Sequence, residues 1–393
     1  MAEDPPASGA VLVLNAGSSS LKVAVVDPAT GERSLSALGE RLGTPEARLQ
    51  RDGTTRELAG AGHQEVLAAV MDDVDTSGLL GVGHRVVHGG ERFSASVLVD
   101  DDVVAAVEQV SALAPLHNPP GLATLAAARA LLPDLPHVAV FDTAFHATVP
   151  PSAHRYAVPQ EWYERYGVRR YGFHGTSARY VSARAAELLG RAPQEARVVV
   201  AHLGNGCSAT AVRDGVSVDT TMGLTPLEGL VMVTRSGDVD PGLFAHLAHT
   251  AGLDALAVTD ALNGASGLLG LSGTSNDMRT VEAAAEAGDE RAELALEVFT
   301  ARLAKAVGAL AVPLERLDAL VLTGGIGQHS ATVRSRTLAR LAVLGLAEDP
   351  GANARHGRDT GGRVSRPGRP VALVVPTDEE LMIARDTASL VGT

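Results

Sequence analysis

The chain has 393 residues, of which 45% are hydrophobic, a length that predicts two domains of ordinary size rather than one core. Its formal net charge of −13 at pH 7 argues against a sequence-independent grip on nucleic acid or on an anionic membrane, and no apolar run approaches the roughly 18–20 residues of a membrane span. Because the single cysteine, Cys207, cannot form an intrachain disulfide and the start MAEDPPAS is acidic and Pro-rich, unlike a secretory signal, we expect a cytoplasmic protein.

The first predicted element is a β-hairpin, VLVLNAGSSSLKVAVVD at residues 11–27. Backbone N–H groups in its Gly- and Ser-rich turn can approach phosphate oxygens closely, because a glycine has no Cβ to obstruct them. Asn15, Ser18 and Ser20 offer polar oxygens to phosphates or to a magnesium ion and its waters. Lys22 is one of only two lysines beside 31 arginines, and we interpret it as a charge directed at phosphates. The alternatives are an ordinary hairpin and a solvated strand lysine.

Further along the chain, strand-like apolar runs alternate with alanine-rich helical patterns, which predicts an α/β architecture. The predicted helices span 66–74, 103–113, 121–132, 178–189 and 291–311.

Four polar residues lie in apolar surroundings between these helices. Arg85 lies inside a strand-like run, where a guanidinium needs an anion, and Asp142 ends a strand at the edge where α/β sheets place their chemistry. His117 precedes a Pro-rich turn, and His174 lies in a turn at the start of a helix. Each is a candidate catalytic or binding residue, and the alternative for each is a structural role, which for Arg85 is a buried ion pair.

A weak internal repeat links the two halves of the chain. Shifted by 187 residues, the first hairpin meets VVVAHLGNGCSATAVRDG at 198–215, which suggests two related domains that each offer a turn to a shared cleft. The segment LVLTGGIGQHS at 320–330 adds a glycine-rich strand-to-helix turn suited to the backbone of a nucleotide, although a plain tight connection is the alternative. Neither a Walker phosphate loop nor a well-placed dinucleotide fingerprint occurs.

Six motifs in order, NAGSSSLK, GHRVVHGG, FDTAFH, YGFHGTS, HLGNG and TRSGDVDP, together strongly resemble the acetate kinase family from Val11 to about Ala388. The resemblance implies an α/β fold with two related actin-like, ribonuclease H-like domains and an interdomain nucleotide cleft. We place the first domain at 9–150, with a returning C-terminal helix at 378–393, and the second at 151–377. It also implies a homodimer.

The resemblance further implies roles for individual residues. Asn15 and Glu379 resemble the metal-associated positions, and Arg85 the residue that binds the substrate carboxylate. His174, Arg235 and the nearby His117 resemble stabilisers of the transition state, and Asp142 a proton donor or acceptor. The pocket for the substrate methyl group corresponds to Val87, Leu116, Phe173 and Pro226. Besides Lys22, Ser18 and Ser20, the nucleotide-binding positions are His202, Leu203, Gly204, Asn205, Gly206, Asp277, Met278, Arg279, Gly325, Ile326, Gly327, Gln328 and His329.

The activity so implied is reversible transfer of the γ-phosphoryl group of ATP to acetate, giving acetyl phosphate and ADP, with Mg²⁺ or, as the alternative, Mn²⁺. It belongs to acetate and acetyl-CoA metabolism. Because a carboxylic acid with a pKa near about 4.3 is already ionised at pH 7, no general base is needed, and we expect Asp142 to orient metal-bound water or cationic groups. The competing hypotheses are a propionate or butyrate kinase and a nucleotide-gated binding protein of the heat-shock ATPase or actin type.

Three local expectations concern the C-terminal part of the chain. Thr377 and Glu380 have the spacing of a capping box, which leaves Glu379 able to face the metal. Gln328 and His329 replace the usual Glu and Asn of the family, which leaves the preference among nucleotide donors open. The Gly- and Arg-rich stretch at 351–369 is predicted to be a solvated loop or loose hairpin, since it lacks aromatic residues for stacking on bases.

Overall fold

The structure is a computed structural model of the chain, and it describes residues 9–72 and 74–392. Its strands are β1 Ala10–Ala16, β2 Ser20–Val26, β3 Arg33–Glu40, β4 Arg48–Arg51, β5 Thr54–Glu57, β6 Leu79–Val86, β7 Val97–Leu98, β8 His137–Phe141, β9 Arg197–Leu203, β10 Cys207–Arg213, β11 Val216–Thr220, β12 Ala319–Thr323 and β13 Val371–Val374. Its α-helices are α1 His63–Met71, α2 Asp101–Gln109, α3 Asn118–Leu131, α4 Pro151–His154, α5 Gln160–Tyr166, α6 Gly175–Leu188, α7 Gly242–Ala251, α8 Ala255–Gly264, α9 Gly267–Ser272, α10 Met278–Glu286, α11 Glu290–Ala311, α12 Gly324–His329, α13 Ala331–Arg340, α14 Pro350–Ala354 and α15 Glu379–Val391.

Contacts divide the described residues into two units. Unit 1 runs to Ala147 and resumes at Asp378, and unit 2 is Thr148–Thr377. No helix in the described part of the chain has both the length and the apolarity that crossing a membrane requires.

Each unit is built on one mixed sheet, and the two sheets share a pattern. Unit 1 has the strand order β5-β4-β3-β2-β1-β6-β8-β7, and unit 2 has β11-β10-β9-β12-β13. In both, three antiparallel strands continue into two parallel ones: β3-β2-β1-β6-β8 in unit 1 matches β11-β10-β9-β12-β13 in unit 2. This repeated topology confirms the predicted α/β class and the relationship between the two halves.

The two hairpins match in sequence position but differ in pairing. The 187-residue shift carries the bounds of β1 and β2 onto those of β9 and β10. In β1–β2, however, Ala16 pairs with Leu21, whereas in β9–β10 Leu203 pairs with Cys207. The second turn is therefore one residue tighter than the first.

The core of unit 1 lies on both faces of its sheet. On one face, Val66, Leu67 and Val70 of α1 and Ala128 of α3 pack with buried residues of β1, β2 and β3. The C-terminal helix α15 returns to pack against β1, β6 and β8. Gly83 on β6 permits this close approach, because a Cβ there would stand 2.5 Å from Thr387 Oγ1 and 2.6 Å from Ile383 Cγ2.

All five predicted helices occur, but the structure begins each of them one to three residues earlier than the pattern does. The missed first turns are polar or rich in Pro and Gly, as at Asn118, which precedes two prolines. Capping side chains set two of these starts, Asp100 for α2 and Asp289 for α11.

One expectation for the C-terminal part is wrong and another holds only in part. Asp378, not Thr377, caps α15, because its side chain accepts a hydrogen bond from the N–H of Leu381 at 3.0 Å. The Thr377 hydroxyl instead donates to Ser177 Oγ at 2.7 Å. The stretch at 351–369 is exposed at about half of its residues, as a solvated loop would be, but Asn353 and Val364 are buried and α14 occupies its start.

A buried histidine pair makes the stability of unit 1 depend on pH. The Leu132 carbonyl accepts from His137 Nε2 at 3.1 Å, so His137 Nδ1 is the acceptor for His84 Nε2–H at 2.9 Å. Burial, with a smaller contribution from His137, lowers the pKa of His84 to about 3.

We therefore expect acid to weaken this unit. Below about pH 6.5, His84 is protonated in the unfolded chain but stays neutral in the folded one. The free energy of unfolding should therefore fall by about 1.4 kcal/mol per pH unit, or by about 2 kcal/mol in total at pH 5. His84→Gln retains an N–H donor but does not titrate, and it should flatten this part of the dependence. Urea unfolding between pH 7.5 and 5 measures the effect, and parallel curves for variant and wild type would contradict it.

Candidate functional site

In unit 1, three predicted site residues meet where the parallel strands end. Asn15 lies near the end of β1, Arg85 near the end of β6, and Asp142 directly after β8. Because the carboxyl ends of parallel strands share one edge of a sheet, their side chains come together there. Arg85 donates to Asp142 through Nε at 3.1 Å and through Nη2 at 2.6 Å, and to Asn15 Oδ1 through Nη1 at 3.1 Å.

These contacts account for part of the Arg85 guanidinium. Of its five N–H groups, three are bonded in this way within the described residues, which leaves one N–H on each terminal nitrogen. Burial lowers the pKa of Arg85, but the attraction of Asp142, Glu379 and Glu380 outweighs it, so the pKa is raised and the side chain is a fixed cation. The ion pair that we considered as the alternative for Arg85 is present, and it still leaves a fork of two donors.

Carboxylates gather beside this cation at the start of α15. Burial, together with the charges of Asp142 and Glu380, raises the pKa of Glu379, with Arg85 and Lys22 opposing. Lys22, directly opposite Asn15 in the hairpin, has its Nζ 3.7 Å from Glu380 Oε1 and a side chain that is 57% exposed. It therefore resembles the solvated strand lysine of our alternative, and its predicted contact with phosphate stays a prediction.

The remaining unit 1 candidates lie in the first turn and around the start of α3. Ser18 is exposed and Ser20 half-buried, and the carbonyl of Ser20 accepts from the N–H of Gly17 at 2.8 Å. Val87 follows β6 and is buried, whereas Leu116 is 56% exposed. His117 is the N-terminal cap position of α3.

In unit 2, two predicted residues form a stacked pair of imidazoles. The rings of His174 and His202 lie 4.3 Å apart at an angle of 25°. Each Nδ1 bonds to a serine hydroxyl, His174 to Ser208 at 3.0 Å and His202 to Ser177 at 2.8 Å. His174 caps α6 with φ of 56°, a backbone region that few residues other than glycine adopt, so its ring position is fixed by its neighbours.

Arg235 and the tight turn at 204–206 adjoin this pair. A Cβ on Gly206 would stand 3.0 Å from Arg235 Nη2 and 3.3 Å from His174 Nε2, and one on Gly204 would stand 3.5 Å from His202 Nε2. Arg235 Nη1 donates to the carbonyl of Pro226 at 2.6 Å, and burial lowers the pKa of this guanidinium. The edge of unit 2 thus presents the turn at 204–206, with the guanidinium of Arg235 and the Nε2 atoms of His174 and His202 beside it.

Beside the turn lies a cavity of about 670 Å³, a size that suits a nucleotide-sized ligand. Eight of the predicted nucleotide-binding residues line it: Gly204, Asn205, Asp277, Met278, Arg279, Gly325, Ile326 and His329. Four other lining residues were not predicted, namely Val233, Asn276, Glu282 and Ser330.

The other unit 2 candidates surround this region. Leu203 ends β9, Gly327 is buried within α12, and Gln328 follows it on the same helix. Phe173 is 1% exposed. Gly324, which opens α12, has φ of 75°, and a Cβ there would stand 2.6 Å from the carbonyl oxygen of Leu203, so glycine is required where the two segments cross.

An ion pair and a histidine ring border the cavity. Asp277 caps α10 and pairs with Arg279 at 2.6 Å, and this hydrogen bond is the main cause that lowers the pKa of Asp277. The ring of His329 meets His356 edge-on at 6.2 Å.

Sequence reasoning missed Arg334, which is fully buried on α13. Its five N–H groups donate to the carbonyls of Gly327, Gln328 and Asn353, to Asn353 Oδ1 and to His356 Nδ1. Arg334 therefore connects α12 to α14 through neutral acceptors alone. The sequence did contain one signal for its burial: Arg334 lies on the same helix face as Ser330, Thr337 and Leu338.

Oxygen ligands suit a hard cation such as Mg²⁺, and Asn15, Asp142 and Glu379 supply them in unit 1. Among the described residues, no cluster of three or more His, Cys, Asp or Glu side chains has the arrangement of a metal site. A protein that binds magnesium mainly through its waters does not need such a cluster.

Comparisons with known proteins agree over almost the whole chain. The sequence model of the Acetokinase family matches residues 10–385. The acetate kinase of Deinococcus radiodurans is 57% identical over 389 residues, which cover 97% of this chain and 98% of the relative. Two crystal structures each match 97% of this chain: a propionate kinase from Francisella tularensis, at 42% identity with a TM-score of 0.93 over 100% of its length, and the acetate kinase of Porphyromonas gingivalis, at 41% identity with a TM-score of 0.88 over 99% of its length.

Proposed function

This chain belongs to the acetokinase family, and on that premise we propose that it acts as an acetate kinase, which transfers the γ-phosphoryl group of ATP reversibly to acetate. The observation that carries this function is the fork of two N–H donors that Arg85 keeps after it has bound Asp142 and Asn15. A planar fork of this kind matches the two oxygens of a carboxylate.

Arg85 would bind the carboxylate of acetate in a fixed orientation. Asp142 accepts from Nε and Nη2 and so prevents rotation of the guanidinium. This contact supports a positioning role for Asp142, since an acid that is ionised at neutral pH needs no base to become a nucleophile. In unit 1 we assign buried Val87 to the pocket for the methyl group. Leu116, which the resemblance also assigns to this pocket, is exposed.

Unit 2 would bind the nucleotide and the charge of the transferring group. The cavity beside α12 would take the nucleoside, and the turn at 204–206 the phosphates. Arg235 and His174 Nε2 adjoin that turn and would stabilise the equatorial oxygens during a direct in-line displacement, in which a carboxylate oxygen attacks phosphorus and ADP leaves.

Asn15 and Glu379 are the residues that we propose to hold Mg²⁺, mainly through water. The fit rests on their oxygen donors and on the raised pKa of Glu379, a half-buried carboxyl beside two other carboxylates, which a divalent cation would lower. When bound, the metal would neutralise the charge of the phosphates.

A hydroxylamine trapping assay tests the function. With ATP, magnesium and acetate, we expect acetyl hydroxamate, and its absence would favour a nucleotide-gated binding protein. The match to a propionate kinase makes propionate the specific competitor, because one methylene in an apolar pocket changes the binding free energy by only about 1–3 kcal/mol. We expect kcat/KM to decrease from acetate through propionate to butyrate, and a preference for butyrate would overturn the proposal.

We also propose that the protein is a homodimer, associating through α7 and α8. Helix α7 contains no buried residue although its sequence is GLFAHLAHTA, and Leu256 on α8 is 76% exposed. Helices α7 and α8 contact each other, so these apolar side chains are candidates for one association surface. The cytoplasmic location stays a prediction from composition.

The proposed interface can be disrupted by a charge. We expect Leu256→Glu to convert the dimer to a monomer in light scattering, because a carboxylate cannot be buried without a partner. Val343 is 89% exposed and lies outside these helices, so Val343→Glu is the control and should leave the mass unchanged. An unaltered mass for Leu256→Glu would place the interface elsewhere.

A further inference from the structure

Two hydroxyl groups outside the proposed catalytic set form a chain that ends on His202. Thr377 Oγ1 donates to Ser177 Oγ at 2.7 Å, and Ser177 Oγ lies 2.8 Å from His202 Nδ1. The three residues come from separate elements: the segment after β13, the first turn of α6, and the end of β9. Ser177 is fully buried, so its hydroxyl has a fixed environment.

The direction of this chain determines the tautomer of His202. Ser177 Oγ accepts from Thr377, and because His202 Nδ1 is the other partner of this hydroxyl in the described structure, we assign its hydrogen to Nδ1. Nδ1 is then the acceptor, and a neutral ring carries its proton on Nε2. A Cβ on Gly204 would stand 3.5 Å from this Nε2, so the N–H lies at the turn that we assign to the phosphates.

We propose that Thr377 and Ser177 are positioning residues, which hold His202 as a neutral imidazole whose Nε2–H donates to a phosphate oxygen. This inference rests on the proposed function for the identity of the ligand. The stacked neighbour, His174, strengthens it, because two imidazolium rings 4.3 Å apart would repel each other and a neutral His202 avoids that repulsion.

The chain explains the capping correction at the same time. Thr377 does not cap α15, because its hydroxyl is used in unit 2, and Asp378 takes the cap position instead. A threonine that served only as a helix cap would be replaceable by serine or aspartate. A threonine that positions Ser177 requires a hydroxyl, and serine alone preserves it.

Thr377→Val is the decisive variant, because it removes one hydroxyl at nearly constant volume. We expect KM for ATP to rise about threefold, and about tenfold in Ser177→Ala, with little change in KM for acetate, since each variant removes one hydrogen bond of the chain that positions His202. Thr377→Ser should restore wild-type values. Thr300→Val is the matched control, because buried Thr300 bonds only within α11, to the carbonyls of Leu296 and Glu297.

The tautomer provides a readout that is independent of activity. In ¹⁵N spectra of the full chain, with the His202 signals identified by their loss in His202→Gln, we expect protonated Nε2 in the wild type and in Thr377→Ser. In Thr377→Val and Ser177→Ala, a fraction of the ring should carry its proton on Nδ1. Wild-type tautomer populations together with wild-type KM for ATP in both variants would overturn the inference, whereas absent kinase activity in the wild type would overturn only the proposed function. Should Ser177→Ala fail to fold, the comparison of Thr377→Val with Thr377→Ser still tests the inference.

Discussion

Arg85→Gln is expected to lower kcat/KM for acetate by about 10³-fold or more and to destabilise unit 1 by about 3–5 kcal/mol. The activity falls because the substrate carboxylate loses a charged, bidentate partner. The stability falls because Asp142, which is fully buried, loses the guanidinium with which it forms an ion pair. Acetyl phosphate formation and urea unfolding measure the two effects.

Two comparisons make this result specific. Arg129 pairs with Asp101 on the exposed surface of the same unit, so Arg129→Gln should change stability by less than about 0.5 kcal/mol and leave activity intact. Asp142→Asn keeps an acceptor for Arg85, and we expect a reduced rate whose pH profile keeps its shape. Loss of only the basic limb with unchanged metal affinity would instead assign proton transfer to Asp142.

Arg235→Gln is expected to lower kcat by about 10³-fold or more while KM for acetate changes only a few-fold, because a cation that meets the transferring phosphoryl group acts chiefly in the transition state. Arg235 is well placed for this role, with Nη2 near the turn at 204–206 and Nη1 held by the carbonyl of Pro226. Arg235→Lys keeps the charge but loses the planar fork, so we expect an intermediate loss.

The matched control is Arg213→Gln. Arg213 lies on β10 of the same unit and contacts the Pro313 carbonyl and Glu315 near the surface, so its replacement should leave kcat within about twofold. A loss in Arg235→Gln that appeared in the KM for ATP with kcat intact would reassign Arg235 to ground-state binding of the nucleotide.

The fold was largely predictable because its signals are local. Strands and helices followed from the spacing of apolar residues, and the relationship between the halves followed from matching hairpins at a shift of 187 residues. The one-residue difference in pairing between the two hairpins did not follow from the sequence, since it depends on how the Gly204–Gly206 turn closes.

The sequence indicated candidate site residues but not the contacts that they make. Arg85 stood out because a guanidinium in an apolar strand needs an anion, yet its partner, Asp142, is 57 residues away and is brought near only by parallel pairing. The sequence did not single out Arg334, or Ser177 at the end of the motif YGFHGTS, because their partners Asn353 and His202 are brought near only by the fold. Thr377 matched a local pattern that tertiary contacts then overrode.

Cys207, the single cysteine, has a consequence for measurement. It is fully buried, and burial raises the pKa of its thiol to about 12, so it should not react with maleimides in the native protein. Dyes can therefore be attached at introduced cysteines without removing the natural one. Leu98→Cys in unit 1 and Val343→Cys in unit 2 are exposed positions for a donor and an acceptor, and energy transfer between them would follow the two units through a catalytic cycle in single molecules.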